Sequence, residues 1–321
     1  MSEDKLSKLI EVAKLYYQFE LSQQQIAEKL GISRPSVSRM LQQAKEQGIV
    51  QIKILDQTEG SERLAELVKK KFSLKDCLVI PVPDYHADVV KTELGKAAAV
   101  YVGDIVQNGD VIGTTWGTTL YEVAQHVKPK NVKGVSVVQL NGGVSYSETN
   151  TYASDILHFI SSAFHTVPHF LPLPAIFDHP KVAEAIRSDR HIKRVLDLGK
   201  QCNIALFTVG EFNEQSTLYK AGYFTTEDLS SLQEHHAVGD ICSRVFNQNG
   251  IICNEEINKR TIGIDLVDLR DKRHSILIAG GASKVEGIYG ALIGRFPNVL
   301  ITDQHTAQAL LEMEEGEQQI G

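Results

Sequence analysis

Residues 22–50 read SQQQIAEKLGISRPSVSRMLQQAKEQGIV, and this stretch decides the fold of the N-terminal part of the chain. Ser22 and Gln25 have the spacing of a capping box, which predicts the start of a helix. Gly31 stands where that helix must end, because glycine adopts a positive φ without strain. Ser33 then has the chemistry of a cap for a second helix. The stretch therefore predicts two short helices joined by a tight turn.

The two predicted helices each have an apolar and a polar side. Ile26, Ala27 and Leu30 recur at helical spacing in the first, and Val37 with Met40 or Leu41 in the second. The polar residues left facing outward, with the predicted cap, are Ser33, Arg34, Ser36, Ser38, Arg39, Gln42 and Gln43. Such side chains reach phosphates and base edges, so the pattern favours a helix-turn-helix that reads double-stranded operator DNA. An ordinary helical hairpin with a solvated polar face is the alternative.

The net charge of the 321-residue chain is -7, which at first argues against a DNA-binding protein. Residues 1–55 hold eight Lys/Arg and six Asp/Glu, a net of +2, so the remaining residues carry a net of -9. This asymmetry indicates a small DNA-contacting head on an acidic body. Because phosphate neutralisation supplies much of DNA affinity, a head of +2 is expected to act in a dimer or tetramer.

The cysteine pattern and the distribution of apolar residues predict a cytoplasmic protein. The four cysteines show no CxxC pair and no zinc spacing, so buried thiols in a reducing compartment are expected and no metal site is predicted. The first ten residues, MSEDKLSKLI, lack the apolar core of a signal peptide. No run approaches the roughly 20 apolar residues of a membrane span, so no membrane association is expected.

The segments around the predicted helix-turn-helix suggest the domain boundaries. Residues 49–54 alternate like a short strand, and residues 4–20 show helical periodicity through Leu6, Leu9, Ile10, Ala13, Tyr16 and Tyr17. Residues 56–62, DQTEGSE, have the composition of a linker. We therefore expect a DNA-binding domain over 1–55 and a second domain, for effector binding and oligomerisation, over 63–321.

From residue 76 onward, short apolar runs alternate with amphipathic segments of helix length. The runs are 77–82, 110–115, 134–140, 203–209, 275–280 and 298–303, and helical patterns occupy 90–107, 118–127, 152–165, 191–200 and 283–294. Continuous apolar strands separated by helices predict a doubly wound, parallel α/β sheet. In such sheets ligands bind at the carboxyl ends of the strands.

Two loops that follow predicted strands are candidates for ligand binding. In GTTWGTTL (113–120), Gly117, Thr118 and Thr119 precede a helix, where backbone N–H groups and hydroxyls favour an anion. In QLNGG (139–143), Gln139 and Asn141 could hydrogen-bond a polyol, while Gly142 and Gly143 would let the backbone approach it. Ordinary glycine turns are the alternative at both places.

A third loop, AGGASKVEGIYGAL (279–292), places Lys284 in the first turn of a helix. A cation there opposes the helix dipole unless an anion is bound, so Gly281, Ser283 and Lys284 are candidate contacts to a phosphate. The loop lacks the GxGxxG spacing of a dinucleotide fold, so no NAD and no other cofactor is predicted. Asp240 could accept hydrogen bonds from sugar hydroxyls or cap a helix, and Trp116 belongs to the core or walls the pocket.

Taken together, these motifs resemble the SorC family of bacterial sugar-responsive transcriptional regulators. The likeness rests on the segment SRPSVSRMLQQAKEQGIVQIKI, the three loops, LPLPAIF (171–177) and AVGDICSRVFN (237–247), and is greatest to the branch of deoxyribonucleoside regulators from Gram-positive bacteria. The resemblance implies a helix-turn-helix, an effector domain similar to sugar-phosphate isomerases, a phosphorylated sugar effector, and usually a tetramer whose operator binding the effector relieves.

Carried onto this sequence, the resemblance implies that the phosphate meets Gly117, Thr118, Thr119, Ser283 and Lys284, and that the sugar meets Asn141, Gly142, Gly143 and Asp240. A lysine at position 141 could form a Schiff base with an open-chain aldose, but this chain has Asn141, which cannot. We therefore expect a sugar phosphate that is held without a covalent bond.

Two other functions fit parts of the sequence. A sugar-phosphate isomerase or kinase with an added DNA-binding head would use Asp240 and Glu286 as acid and base. No base-orienting partner or metal cluster accompanies them, so we predict that the protein is not an enzyme. The body could also be mainly a scaffold for oligomerisation, which the three convergent loops argue against.

Overall fold

The computed structural model describes residues 3–19, 21–50, 57–144, 150–214 and 216–313. The chain divides into two compact units, Met1–Asp56 and Gln57–Gly321. Each unit has a hydrophobic core of its own and is described separately below.

The described residues of the N-terminal unit form three helices: α1 (Glu3–Tyr17), α2 (Gln23–Leu30) and α3 (Arg34–Glu46). The capping box predicted at Ser22 is present, and Gly31 ends α2 in the left-handed conformation with φ +64°. Ser33 caps α3 by accepting a hydrogen bond from the N–H of Ser36. The predicted pair of helices and its tight turn are therefore confirmed.

The core of this unit is formed by one side of each helix. Ile26, Val37 and Ala44 are completely buried, and Leu41 rather than Met40 takes the inward position on α3. On α1 the prediction was only partly right, because the periodicity also included Leu6 and Ile10, which are exposed, and omitted Val12 and Leu15, which are buried. The inward side of α1 is thus rotated from the one predicted.

The region after α3 differs from the prediction. The predicted strand 49–54 lies mostly outside the described residues, and Ile49 and Val50 do not belong to a strand. The predicted linker 56–62 was wrong in its structure, because helix α4 (Gln57–Lys71) begins there. Ser61, Ala65 and Val68 recur at helical spacing and are buried against the second unit's core, which outweighs the linker-like composition.

The second unit is an α/β domain, as predicted. Its described strands are β1 (Asp76–Ile80), β2 (Val111–Thr114), β3 (Ser136–Gln139), β4 (Pro168–His169), β5 (Ile204–Phe207), β6 (Gly210–Glu211), β7 (Ala237–Ile241), β8 (Arg244–Asn247), β9 (His274–Ile278) and β10 (Val299–Asp303). Seven of them form a parallel sheet in the order β1-β10-β9-β5-β2-β3-β4. All six apolar runs are strands of this sheet.

Helices cover the sheet and connect its strands. Their bounds are α5 (Ala87–Ile105), α6 (Thr118–His126), α7 (Ala153–Ala163), α8 (Pro180–Ser188), α9 (Arg190–Gln201), α10 (Thr217–Lys220), α11 (Thr226–Glu234), α12 (Glu255–Arg260), α13 (Val285–Ile293) and α14 (Gln304–Glu312). Short 3₁₀ helices occupy Leu266–Leu269 and Ala282–Lys284. Separate apolar clusters include Phe207, Leu277 and Leu300 in one and Ile112, Ile204 and Ile276 in another.

A second, antiparallel sheet, β6-β7-β8, was not predicted. In it Gly210 pairs with Asp240, and the turn from β7 to β8 is made by Cys242 and Ser243, both with positive φ. This small sheet follows β5 directly in the chain, and it brings Asp240 close to the carboxyl end of β5.

Candidate functional site

The outward side of α3 carries the residues predicted to contact DNA. Ser33, Arg34, Ser38, Arg39 and Gln42 are exposed, and Ser36 and Gln43 are half-buried. The hydroxyls of Ser33 and Ser36 are 2.9 Å apart and bonded to each other, so both also serve the helix cap. The helix therefore presents arginine, serine and glutamine groups on the side opposite its buried residues.

The second unit has a cavity of about 310 Å³ at the carboxyl ends of β2, β3 and β5. This is where a parallel sheet is expected to bind a ligand, and the volume suits a small molecule. The lining residues come from six parts of the chain: Lys91; Thr115, Trp116, Gly117, Thr118 and Thr119; Asn141, Asn150 and Thr151; Thr208, Val209, Gly210, Glu211, Ser216, Thr217 and Leu218; Asp240, Cys242 and Ser243; and Lys284.

Six of the residues predicted to contact an effector line this cavity: Gly117, Thr118, Thr119, Asn141, Asp240 and Lys284. The N–H of Gly117 already donates to the carbonyl of Thr151, at 3.0 Å. The hydroxyls and N–H groups of Thr118 and Thr119, at the start of α6, therefore form the polar part of this loop that faces the cavity.

Gln139 and Gly142, predicted to contact the effector, instead stabilise the loop. The Gln139 amide donates to the carbonyl of Asn141 at 2.8 Å and accepts from the N–H of Leu171 at 3.1 Å. The Gly142 carbonyl accepts from the Trp116 indole N–H at 2.8 Å. Glycine is required at 142 because a Cβ there would lie 2.4 Å from the carbonyl oxygen of Pro174.

Gly143, Gly281 and Ser283 also do not line the cavity. The Gly143 carbonyl accepts from the Tyr223 hydroxyl at 3.1 Å. The N–H of Gly281 donates to the carboxylate of the buried Asp303, at 3.0 Å. The Ser283 hydroxyl donates to Glu211 at 2.6 Å, and this bond orients a cavity carboxylate. The three residues shape the loops around the cavity.

Charges of both signs surround one end of the cavity. Burial lowers the pKa of Lys284, although the carboxylates of Glu211 and Asp240 favour its charged form. Burial alone would raise the pKa of Glu211, but hydrogen bonds from Ser283 and Asn213 and the charges of Lys284 and Lys91 hold it below its usual range. Lys284 is therefore a half-buried lysine whose charged form is disfavoured by burial and favoured by the carboxylates of Glu211 and Asp240.

The pKa of Asp240 is shifted upward, in the opposite direction to that of Glu211. Burial raises its pKa from 3.8 to about 6, against the N–H of Ser243, which donates to it at 3.0 Å, and the charge of Lys284. Gly210 is the residue that makes room for it, since a Cβ there would lie 2.1 Å from its Oδ1. Burial in the cavity wall therefore disfavours the ionised form of the Asp240 carboxyl group.

Three buried polar atoms in the cavity wall have no hydrogen-bond partner among the residues that the structure describes: Oδ1 of Asn141 and Oγ1 of Thr115 and Thr208. Buried polar groups in folded proteins are nearly always bonded. Their concentration at one cavity indicates a place where a polar molecule completes the hydrogen bonding.

The sequence did not point to several of these groups. Thr208 and Glu211 follow β5, whose apolar run was predicted, and the rule that parallel strands present their carboxyl ends together could have singled them out. Lys91 comes from the N-terminal part of α5 and has no sequence signal of its own. Lys91 lies at the cavity because α5 packs against the sheet.

Other functional groups can be placed as well. Glu286, considered above as a catalytic group, is exposed and is not among the cavity's described lining residues. Within the described ranges, no three His, Cys, Asp or Glu side chains come together as metal ligands.

The same ranges contain no helix with the length and apolar character needed to cross a bilayer. The four cysteines are buried as free thiols.

Comparison with known proteins identifies both units. The family model of the Sugar-bind domain matches residues 56–312, and that of the Crp-like helix-turn-helix domain matches residues 6–59. The chain is 49% identical to the deoxyribonucleoside regulator of Bacillus subtilis, over 97% of this chain and 99% of that protein. It is 30% identical to the sorbitol operon regulator of Klebsiella pneumoniae, with the same coverage of both chains.

Solved structures share the fold. The full-length sorbitol operon regulator SorC from Klebsiella pneumoniae matches with a TM-score of 0.73 over 97% of this chain and 100% of that one, at 29% identity. A transcriptional regulator from Streptococcus pneumoniae matches with a TM-score of 0.75 over 80% and 98% of the two chains, at 26% identity. The relatives named here are transcriptional regulators and not enzymes. This chain belongs to the SorC family of transcriptional regulators, with an N-terminal helix-turn-helix and a sugar-binding domain.

Proposed function

We propose that the protein is a repressor of a carbohydrate or nucleoside catabolic operon, and that a phosphorylated sugar bound in the cavity controls its affinity for the operator. The observation that carries the proposal is Lys284, a half-buried cation in the cavity wall whose pKa burial lowers. A bound dianionic phosphate would compensate that charge more fully than a neutral sugar could.

The phosphate would lie between Lys284 and the start of α6, where the groups of Thr118 and Thr119 add donors. The sugar would lie against Asn141 and Asp240, without a covalent bond. Two of the names among its relatives, a deoxyribonucleoside regulator and a sorbitol operon regulator, support the class of ligand.

Control of DNA binding would be a shift in population. The effector must bind more tightly to the conformation or assembly whose helix-turn-helix units do not match the operator half-sites. A homodimer or homotetramer supplies the repeated DNA-binding units, and the operator is then a pseudo-palindrome. Arg34, Ser38, Arg39, Gln42 and Gln43 would contact the DNA.

The test is a thermal-shift and calorimetric screen of pentose 5-phosphates and hexose 6-phosphates against their unphosphorylated parents. A ligand that binds only the native protein raises the Tm by mass action. We expect stabilisation by an ester, none by its parent, and its loss in Lys284→Met. Lys181→Ala, an exposed lysine outside the cavity lining, is the control. Equal affinity of ester and parent would contradict the phosphate assignment.

The effect on DNA binding is measured with the same protein variants and with Arg39→Ala. Arg39→Ala should weaken operator binding in a fluorescence anisotropy titration and leave the affinity for the ester unchanged. The ester should release wild-type protein from the operator but not Lys284→Met. Stronger DNA binding in the presence of the ester would show an activator or co-repressed regulator. Light scattering after size exclusion would give the number of chains in the assembly.

A further inference from the structure

The side chain of Asn141 has one polar atom bonded and one free. Asn141 is 2% exposed, and its Nδ2 donates to the hydroxyl of Ser243 at 3.2 Å. Its Oδ1 is buried and has no hydrogen-bond partner in the described part of the chain, and the residue lines the cavity. The backbone on both sides is fixed, because its carbonyl accepts from Gln139 and the residue bridges to Gly263. The free oxygen is thus the polar atom that Asn141 can offer to a ligand.

Ser243 holds this arrangement in place. Its hydroxyl accepts from Asn141, and its N–H donates to Asp240, so one residue positions two groups of the cavity wall. Ser243 and the preceding Cys242 have φ of +66° and +55°, a conformation that side chains other than glycine and asparagine rarely adopt. Such local strain, concentrated at a ligand cavity, is characteristic of pre-organised sites.

The chemistry of these atoms selects one kind of partner. An amide oxygen and a carboxylate accept hydrogen bonds and cannot donate them. A ligand that lacks a donor at this point would leave the Asn141 oxygen buried and unpaired, which is the arrangement that sites built for a hydroxyl use to reject analogues without one. An amide also has no amine with which to form an imine.

We propose that Asn141 is a specificity-determining residue, and that the effector is a sugar phosphate that donates a hydroxyl hydrogen to its Oδ1. This inference rests on the proposed function, because it assigns the sugar end of the same cavity. A ring or reduced sugar supplies such a hydroxyl, whereas an aldehyde or ketone oxygen at this point would face another acceptor.

The first test compares two buried amides. Asn141→Leu keeps the branching of the side chain and removes one unbonded oxygen together with a single hydrogen bond, that to the Ser243 hydroxyl, so the Tm of the ligand-free protein should fall only slightly. Gln139→Met is the matched control, because both ends of that amide are bonded to backbone and its loss should lower the Tm. A fall in Tm for Asn141→Leu as large as that for Gln139→Met would overturn the inference.

The second test measures affinity by calorimetry, using whichever pentose 5-phosphate or hexose 6-phosphate binds the wild-type protein most tightly. Asn141→Leu should bind it about tenfold or more weakly. In the wild type, one deoxy or fluoro analogue of that ester should show a similar loss, and the same analogue should show none in Asn141→Leu. Equal binding of the ester by both proteins would overturn the role of Asn141 and leave the proposed function intact. Failure of every ester to bind the wild type would instead overturn both.

Discussion

Replacing Asp240 by asparagine isolates the energetic consequence of placing a carboxylate in the cavity wall. A pKa raised from 3.8 to about 6 corresponds to roughly 3 kcal/mol, at about 1.4 kcal/mol per factor of ten. The folded protein binds this proton more tightly than the unfolded chain does. The stability contributed by Asp240 is therefore fully present below pH 3.8 and is lost as the pH rises through about 6.

The asparagine variant has no such group, and its amide oxygen can still accept from the Ser243 N–H. Relative to the wild type, the free energy of unfolding of Asp240→Asn should therefore increase by up to about 3 kcal/mol between pH 4 and pH 7.5. Urea unfolding followed by the fluorescence of Trp116, the single tryptophan of the chain, reports on the domain that contains Asp240. A stability difference that is the same at both pH values would refute the reasoning.

Glu211→Gln provides a control of opposite sign in the same cavity. Its pKa is held below the usual range, so its contribution to stability is present above pH 4.5 and is lost as the pH falls. This variant should be less stable than the wild type at pH 7.5, and the loss should shrink toward pH 4. Two variants that changed stability with the same pH dependence would point to a general effect of altering the cavity.

Other parts of the molecule give predictions of their own. Gly142→Ala should lower the Tm, because its Cβ would meet the Pro174 carbonyl oxygen at 2.4 Å; an unchanged Tm would show that the loop shifts freely. Ser22→Ala removes the side-chain bond to the N–H of Gln25 and should destabilise α2 by about 1 kcal/mol, seen as roughly fivefold faster hydrogen exchange of its amides. Trp116 lines the cavity, so ester binding should change its fluorescence; a titration without change, where calorimetry detects binding, would place the ligand elsewhere.

Local chemistry made the N-terminal helices predictable from the sequence. The Ser22 capping box, the left-handed Gly31 and the Ser33 cap act within a few residues, so their spacing in the chain is also their geometry in the fold. The parallel strands were predictable for a similar reason, since burial on both faces produces apolar runs. The first turns of the helix after Asp56 were predicted as a linker, because their polar composition hides a helix that packs against a core distant in the sequence.

The helix-turn-helix, the parallel strands and the loops rich in glycine and threonine were predictable from the sequence, but the antiparallel sheet β6-β7-β8 and the atoms that face a ligand were not. Only the tertiary structure placed Lys91 in the cavity and showed that Gln139, Gly142 and Gly143 make hydrogen bonds that hold their loop together. The physical reason is that these roles depend on hydrogen bonds and close contacts between segments far apart in the chain. Such contacts are fixed by the order of strands in the sheet and leave no local pattern.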